Sequence, residues 1–241
     1  MSSDKNKIFI VRGFGTDNIK TNDTYANILL VLEQKNNDVT YFDYAPSDDI
    51  VETYNRLCKT IKNNNFTHMA AHSMGGGLAM KWIADHPKAV KKFKHVILLM
   101  AMLYKDPFNE FLAKIPILKN VSVPVAIFLP SSKAYSTGNI LNDGFKFMHL
   151  GQVFDMYNHI MLDSDEFVDV LNANKSNTVL FYATEEGFNI IPKEILNKID
   201  NLKYVPGLHE PFNSLQTTKQ FFKKFLPYFS SDLRHLKVSK Y

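Results

Sequence analysis

At 241 residues the chain is within the range of one large domain, and its 45% hydrophobic and 22% charged residues suit a soluble globular protein with a full core. The net charge of +4 is carried almost entirely by lysines spread along the chain, with arginine only at Arg12, Arg56 and Arg234. Nucleic-acid readers concentrate Arg and Lys on one face, with interleaved aromatics, so nucleic-acid binding is not expected. The single cysteine, Cys58, excludes an intrachain disulfide and suits a reducing compartment.

The first seven residues are polar and lack the apolar core of a signal peptide. The longest apolar run, Val96 to Tyr104, is too short to span a bilayer. A cytoplasmic protein without a transmembrane segment is expected, and the Asn-x-Ser/Thr triplets at Asn22, Asn65, Asn120 and Asn174 read as by-products of an Asn-rich composition. Ile8 to Val11 is a short β-type run ended by the glycine loop Gly13-Phe14-Gly15. Thr24 to Lys35 carries a helical stripe at Ile28, Leu29, Val31 and Leu32, and Val39 to Phe42 is a second strand ending at Ala45-Pro46. Ser47, Asp48 and Asp49 offer N-caps to a helix with Ile50, Val51, Tyr54, Leu57, Cys58 and Ile61 on one face, stopped by Asn63-Asn64-Asn65.

Phe66 to Ala71 reads as a strand, Gly77 to Asp85 as a helix and Lys94 to Met100 as a fully buried strand. From Leu103 to about Asn177 the pattern loosens and Pro107, Pro116, Pro124 and Pro130 punctuate it. Val123 to Leu129 reads as a strand or buried segment, Phe145 to Leu162 as one or two helices and Asp165 to Leu171 as another. Regularity returns with a strand at Thr178 to Ala183, a helix at Pro192 to Ile199 and a strand at Leu202 to Val205. The closing helix, Thr217 to Phe229, sets Phe221, Phe222, Phe225 and Leu226 among Lys219, Lys223 and Lys224. Such a stripe either packs on the sheet or faces a membrane surface. Strands alternating with helices predict a mainly parallel sheet covered on both faces.

Within this order, Ala71-His72-Ser73-Met74-Gly75 places one serine between a strand and a helix. A tight strand-to-helix turn of this kind strains the serine backbone and requires small residues two before and two after it, here Ala71 and Gly75. The pattern is G-x-S-x-G with Ala in the first glycine position. In these residues the sequence resembles the α/β-hydrolase family. The resemblance implies a serine nucleophile at Ser73, a base at His209 in the loop after the last strand, and an acid in the turn after Thr178 to Ala183. That turn offers Glu186 first and Glu185 second, with Asp163 and Asp165 as remoter options. The oxyanion hole is expected from the N–H groups of Met74 and of Phe14, because Arg12-Gly13-Phe14-Gly15 resembles the family's H-G-x-G segment with Arg12 for the histidine. Arg12 either holds its loop or attracts an anionic substrate group.

A serine hydroxyl is a poor nucleophile at neutral pH; it needs a base in hydrogen-bond reach and a carboxylate to orient that base. His68 and His72 share a strand face, but no third ligand has recognisable spacing, so no metal is expected, and no cofactor. The glycines Gly75-Gly76-Gly77 lack the lysine of a phosphate loop and the G-x-G-x-x-G spacing.

The resemblance thus implies an α/β-hydrolase core of residues 1–104 and 178–241 with a helical lid or cap insertion over 105–177. The expected activity is hydrolysis of carboxylic esters, lipase- or thioesterase-like, through an acyl-enzyme on Ser73. The partner is a small-molecule ester or acyl substrate, with peripheral lipid contact allowed. The alternative is a catalytically weak or inactive binding protein on the same fold.

Overall fold

In the computed structural model, the residues described are 5–13, 28, 32–33, 37–45, 48–124, 147–186, 189–207 and 215–229. The expected first helix therefore lies mostly outside the described residues. Six strands form one sheet: β1 (Lys7–Val11), β2 (Asp38–Phe42), β3 (His68–His72), β4 (His95–Leu99), β7 (Thr178–Ala183) and β8 (Leu202–Val205), in the order β2-β1-β3-β4-β7-β8. Every neighbouring pair is parallel, with Ile8 opposite His68, Ala70 opposite Ile97 and Leu98 opposite Leu180. This is the expected mainly parallel sheet.

Strands buried on both faces need apolar residues at every position, with alternate side chains serving opposite cores. On one side lie Phe9, Val11, Met69, Ala71, Val96, Leu98, Leu180 and Tyr182. Helices α1 (Ile50–Lys62), α2 (Ser73–Asp85) and α6 (Ser164–Ala173) cover them through Leu57, Ile61, Leu78, Trp82, Phe167 and Leu171. On the other side lie Ile8, Ile10, Ala70, Ile97, Leu99, Val179 and Phe181, covered by Ile28, Leu32 and the closing helix α8 (Leu215–Phe225). Phe221, Phe222, Phe225 and Leu226 are all buried there, so the closing helix packs on the sheet.

Local chemistry explains the element ends. Asp49 caps α1, its Oδ1 accepting from the N–H groups of Val51 and Glu52 at 2.9 Å each. Helix α3 (Pro87–Val90) opens on a proline, which suits a first helical position, and the short α7 (Lys193–Leu196) follows Pro192. The strand before Ser73 is shifted by one or two residues from the expected range, and α2 begins at Ser73 itself rather than at Gly77.

Residues 105–177 contain α4 (Pro107–Ala113), a 3-10 turn at Pro116–Asn120, α5 (Leu150–Asp155), a π-turn at Met156–Ile160 and α6. They also contain a short antiparallel pair, β5 (Ser122–Pro124) with β6 (Phe147–His149). The expected helix from Phe145 is therefore corrected: its first described turn is a strand. A three-residue strand with a partner more than twenty positions away leaves no period for sequence reading to detect. Residues 125–146, between these strands, lie outside the described residues.

Candidate active site

All six strands point their carboxyl ends to one edge of the sheet, the edge where open α/β sheets bind ligands. The segments that leave that edge are Arg12-Gly13 after β1, Asp43-Tyr44-Ala45 after β2, Ser73 after β3, Met100 to Tyr104 after β4, Thr184 to Glu186 after β7 and Pro206-Gly207 after β8.

Ser73 has φ 52, a left-handed conformation for a residue with a side chain. Such a backbone costs about 1–3 kcal/mol and persists only where the surroundings over-determine it. The surroundings here are the three glycines that follow. A Cβ on Gly75 would lie 2.0 Å from the Arg12 carbonyl oxygen, and one on Gly76 would lie 2.3 Å from the Ala101 Cβ. A Cβ on Gly77 would lie 2.7 Å from Met156 Cε and 2.8 Å from the Met102 carbonyl oxygen. The first turn of α2 is thus pressed against the backbone ends of both neighbouring strands. The Met102 N–H also donates to the Ser73 carbonyl at 2.8 Å. Met100, at the end of β4, is left-handed too, at φ 41. Sequence reading placed Met100 in the strand; the turn there follows from Ala101 closing on Gly76, a contact visible only in three dimensions.

Met74 is buried in the first turn of α2, where no preceding turn supplies a carbonyl for its N–H. His72 precedes the helix without a side-chain cap. The amide and the helix dipole therefore both favour negative charge beside Ser73. Phe14, the other expected donor, lies outside the described residues, as does His209.

Arg12 is 2% exposed and pairs with Asp43. Its guanidinium lies 5.1 Å from the centre of the Tyr44 ring, and the Tyr44 hydroxyl donates to the Arg12 carbonyl at 3.0 Å. Burial raises the Tyr44 hydroxyl well above the ordinary tyrosine range, so it stays a donor. That carbonyl is the one Gly75 approaches, so Arg12 and Tyr44 together fix where the loop after β1 begins.

In the turn after β7, Glu185 is exposed and Glu186 half-buried. The Thr184 N–H donates to the Val205 carbonyl at the end of β8 and the Glu185 N–H to that of Gly207, two residues before His209, each at 2.9 Å. Glu186 Oε1 accepts from the Asn189 N–H at 3.3 Å. Asp163 precedes α6 and pairs with Lys105 at 3.0 Å, and Asp165 pairs with Lys198 at 3.3 Å; both are largely exposed.

Sequence reading passed over Asn189 and Tyr182. Asn189 is buried and its Oδ1 accepts from Leu103 and Tyr104 at 3.0 and 3.1 Å. The Tyr182 hydroxyl accepts from the Ile191 N–H at 3.0 Å, and burial pushes its pKa up to about 12. An Asn close after a Gly reads as ordinary turn chemistry, which hid the long-range role.

His68 and His95 lie at the opposite end of the sheet from Ser73; His68 is buried against Phe229, and the half-buried His95 packs on Tyr228. Among the described residues no group of three His, Cys, Asp or Glu side chains is arranged to hold a metal.

A left-handed serine between a central parallel strand and a glycine-packed helix is the nucleophile-elbow geometry. The sequence profile described as "alpha/beta hydrolase fold" matches residues 8–120. The chain has the α/β-hydrolase fold. Solved structures with this fold align over almost the whole length. A monoglyceride lipase from Saccharomyces cerevisiae superposes with TM-score 0.66 at 14% identity, over 95% of this chain and 88% of its own. A chain from the structural description of the metagenome-derived lipolytic enzymes LipS and LipT gives TM-score 0.64 at 10% identity, over 93% of this chain and 94% of its own. The thioesterase domain of the curacin biosynthetic pathway gives TM-score 0.59 at 13% identity, over 90% and 91%. No curated protein matches the chain in sequence. Among the described residues of this α/β-hydrolase-fold protein, no helix is long and apolar enough to cross a membrane.

Proposed function

We propose that the protein is a cytoplasmic serine hydrolase that cleaves carboxylic esters through an acyl-enzyme on Ser73. The observation that carries this reading is the Ser73 backbone, held at φ 52 at the carboxyl end of a central strand. A strained conformation costs stability and is retained where it presents a side chain to chemistry. In the proposed mechanism His209 takes the Ser73 proton as the hydroxyl attacks the ester carbonyl. The N–H groups of Met74 and Phe14 receive the developing oxyanion, and Glu186 orients the imidazole. His209 then protonates the departing alkoxide. Water, activated by the same histidine, releases the acyl group.

Residues 105–177 are proposed as the cap. Supporting this, Met156, from the π-turn of this region, packs on Gly77 one turn beyond Ser73. An apolar cap suits a medium or long acyl chain, and the fold neighbours named above include lipases and a thioesterase.

A fluorophosphonate probe tests the nucleophile. Wild type is expected to label and Ser73→Ala is expected not to. An unlabelled wild type overturns the enzyme reading and favours the second one, a binding protein on a hydrolase fold. That second reading has one observation on its side: Arg12, where the family's segment has a histidine, is buried and paired with Asp43.

A further inference from the structure

The segment after β4 and the turn after β7 are separated by about eighty residues of sequence, yet one side chain joins them. Asn189 is 6% exposed, and its carboxamide meets the backbone of Tyr104 from both sides. Oδ1 accepts from the Tyr104 N–H at 3.1 Å, while Nδ2 donates to the Tyr104 carbonyl at 3.0 Å. Oδ1 also accepts from the Leu103 N–H at 3.0 Å. A carboxamide is the side-chain group that offers a donor and an acceptor in one plane, so it pairs with a peptide unit much as a neighbouring strand would.

The backbone of the same residue faces the other way. The Asn189 N–H donates to Glu186 Oε1 at 3.3 Å, and its carbonyl accepts from the Tyr182 hydroxyl at 3.4 Å. Two residues before Leu103–Tyr104, the chain passes Ala101 against Gly76, and Met102 donates to the Ser73 carbonyl. A continuous series of hydrogen bonds and three residues of backbone therefore runs from Ser73 through Met102 to Tyr104, across the Asn189 amide and on to the Glu186 carboxylate.

We propose that Asn189 is a positioning residue that sets where the Glu186 carboxylate stands relative to Ser73. This rests on the serine-hydrolase reading and on Glu186 as its acid, and adds a residue that neither one requires. The physical need is plain. The turn after β7 is a loop, and a carboxylate on a loop orients an imidazole only if the loop is referenced to the nucleophile's own frame. The strands alone supply that reference loosely, because β4 lies between β3 and β7. The buried Asn189 bridge supplies it directly, and misplacement by about 1 Å at such a site costs on the order of a hundredfold in rate.

A double-mutant cycle on steady-state ester hydrolysis tests the proposal, with urea midpoints and fluorophosphonate labelling measured alongside. Asn189→Ala is expected to lower kcat about tenfold to a hundredfold with KM within about twofold. Combined with Glu186→Gln, it is expected to be no slower than Glu186→Gln alone, because both changes remove the same function. Multiplying effects, or an Asn189→Ala rate within about twofold of wild type, overturn the proposal while leaving the nucleophile intact. A Glu186→Gln rate equal to wild type overturns the acid assignment, and the proposal with it. An unlabelled wild type overturns the hydrolase reading itself. If Asn189→Ala does not fold, Asn189→Asp, which keeps the acceptor for Leu103 and Tyr104 but loses the donor to the Tyr104 carbonyl, is used in the same cycle. The same outcomes decide.

Discussion

Ser73 and Gly75 act as one unit. The serine adopts a backbone that other residues avoid, and Gly75 lets the helix that follows press on β1 closely enough to hold it there. The Cβ of an alanine at 75 would meet the Arg12 carbonyl at 2.0 Å, and that carbonyl is itself held by the Tyr44 hydroxyl. Because the obstacle is backbone, it yields only if β1 or α2 shifts. Gly75→Ala is therefore expected to destabilise the protein by about 3 kcal/mol or more, read as a fall in the urea midpoint. An unchanged midpoint contradicts the close approach. The small residues around Ser73 were legible in the sequence as a pattern; which atom makes Gly75 necessary was not, because Arg12 is more than sixty positions away.

At the scale of elements, β3 and β4 each begin with a histidine, and the two rings lie 5.7 Å apart beneath the end of the closing helix. His68 accepts or donates at Thr67 Oγ1 at 2.8 Å and packs on Phe229. Burial, then the nearby His95 and Lys94 charges, lowers its pKa from 6.5 to about 4, and burial lowers that of His95 as well. The folded state therefore keeps His68 neutral at pH values where the unfolded chain binds a proton. Its contribution is complete above about pH 6.5 and is lost as pH falls from there towards 4. Denaturation midpoints are expected to fall across that window by at most about 1.4 kcal/mol per pH unit for this group. His68→Phe, which cannot titrate, is expected to flatten the slope, and an equally steep slope in the variant contradicts the assignment. The strands and most helices were readable from period and apolar content to within a few residues. The β5–β6 pair and the left-handed turn at Met100 were not, since each depends on a neighbour distant in sequence.

At the scale of the molecule, the sheet has two separate cores, and the helix that begins at Ser73 covers one of them. Helix α2 is buried nearly throughout, and Met156, from the proposed cap, meets it at Gly77. If that cap encloses an acyl chain, kcat/KM for p-nitrophenyl esters is expected to rise with chain length, by about fourfold for each methylene fully buried. A panel from acetyl to octanoyl that is flat or falls removes the long-chain part of the proposal and leaves Ser73 in place.

By itself the sequence determined the alternation of strands and helices, and hence a parallel sheet with two faces to cover, because periodicity is a local property. It also determined one serine in a setting of small residues. The tertiary structure alone decided that α8 buries its phenylalanines, that Ser73 is left-handed, that Gly75 abuts Arg12 and that Asn189 joins Tyr104 to Glu186. Each of these is a contact between segments far apart in the chain, and no local pattern encodes which distant backbone a side chain will meet.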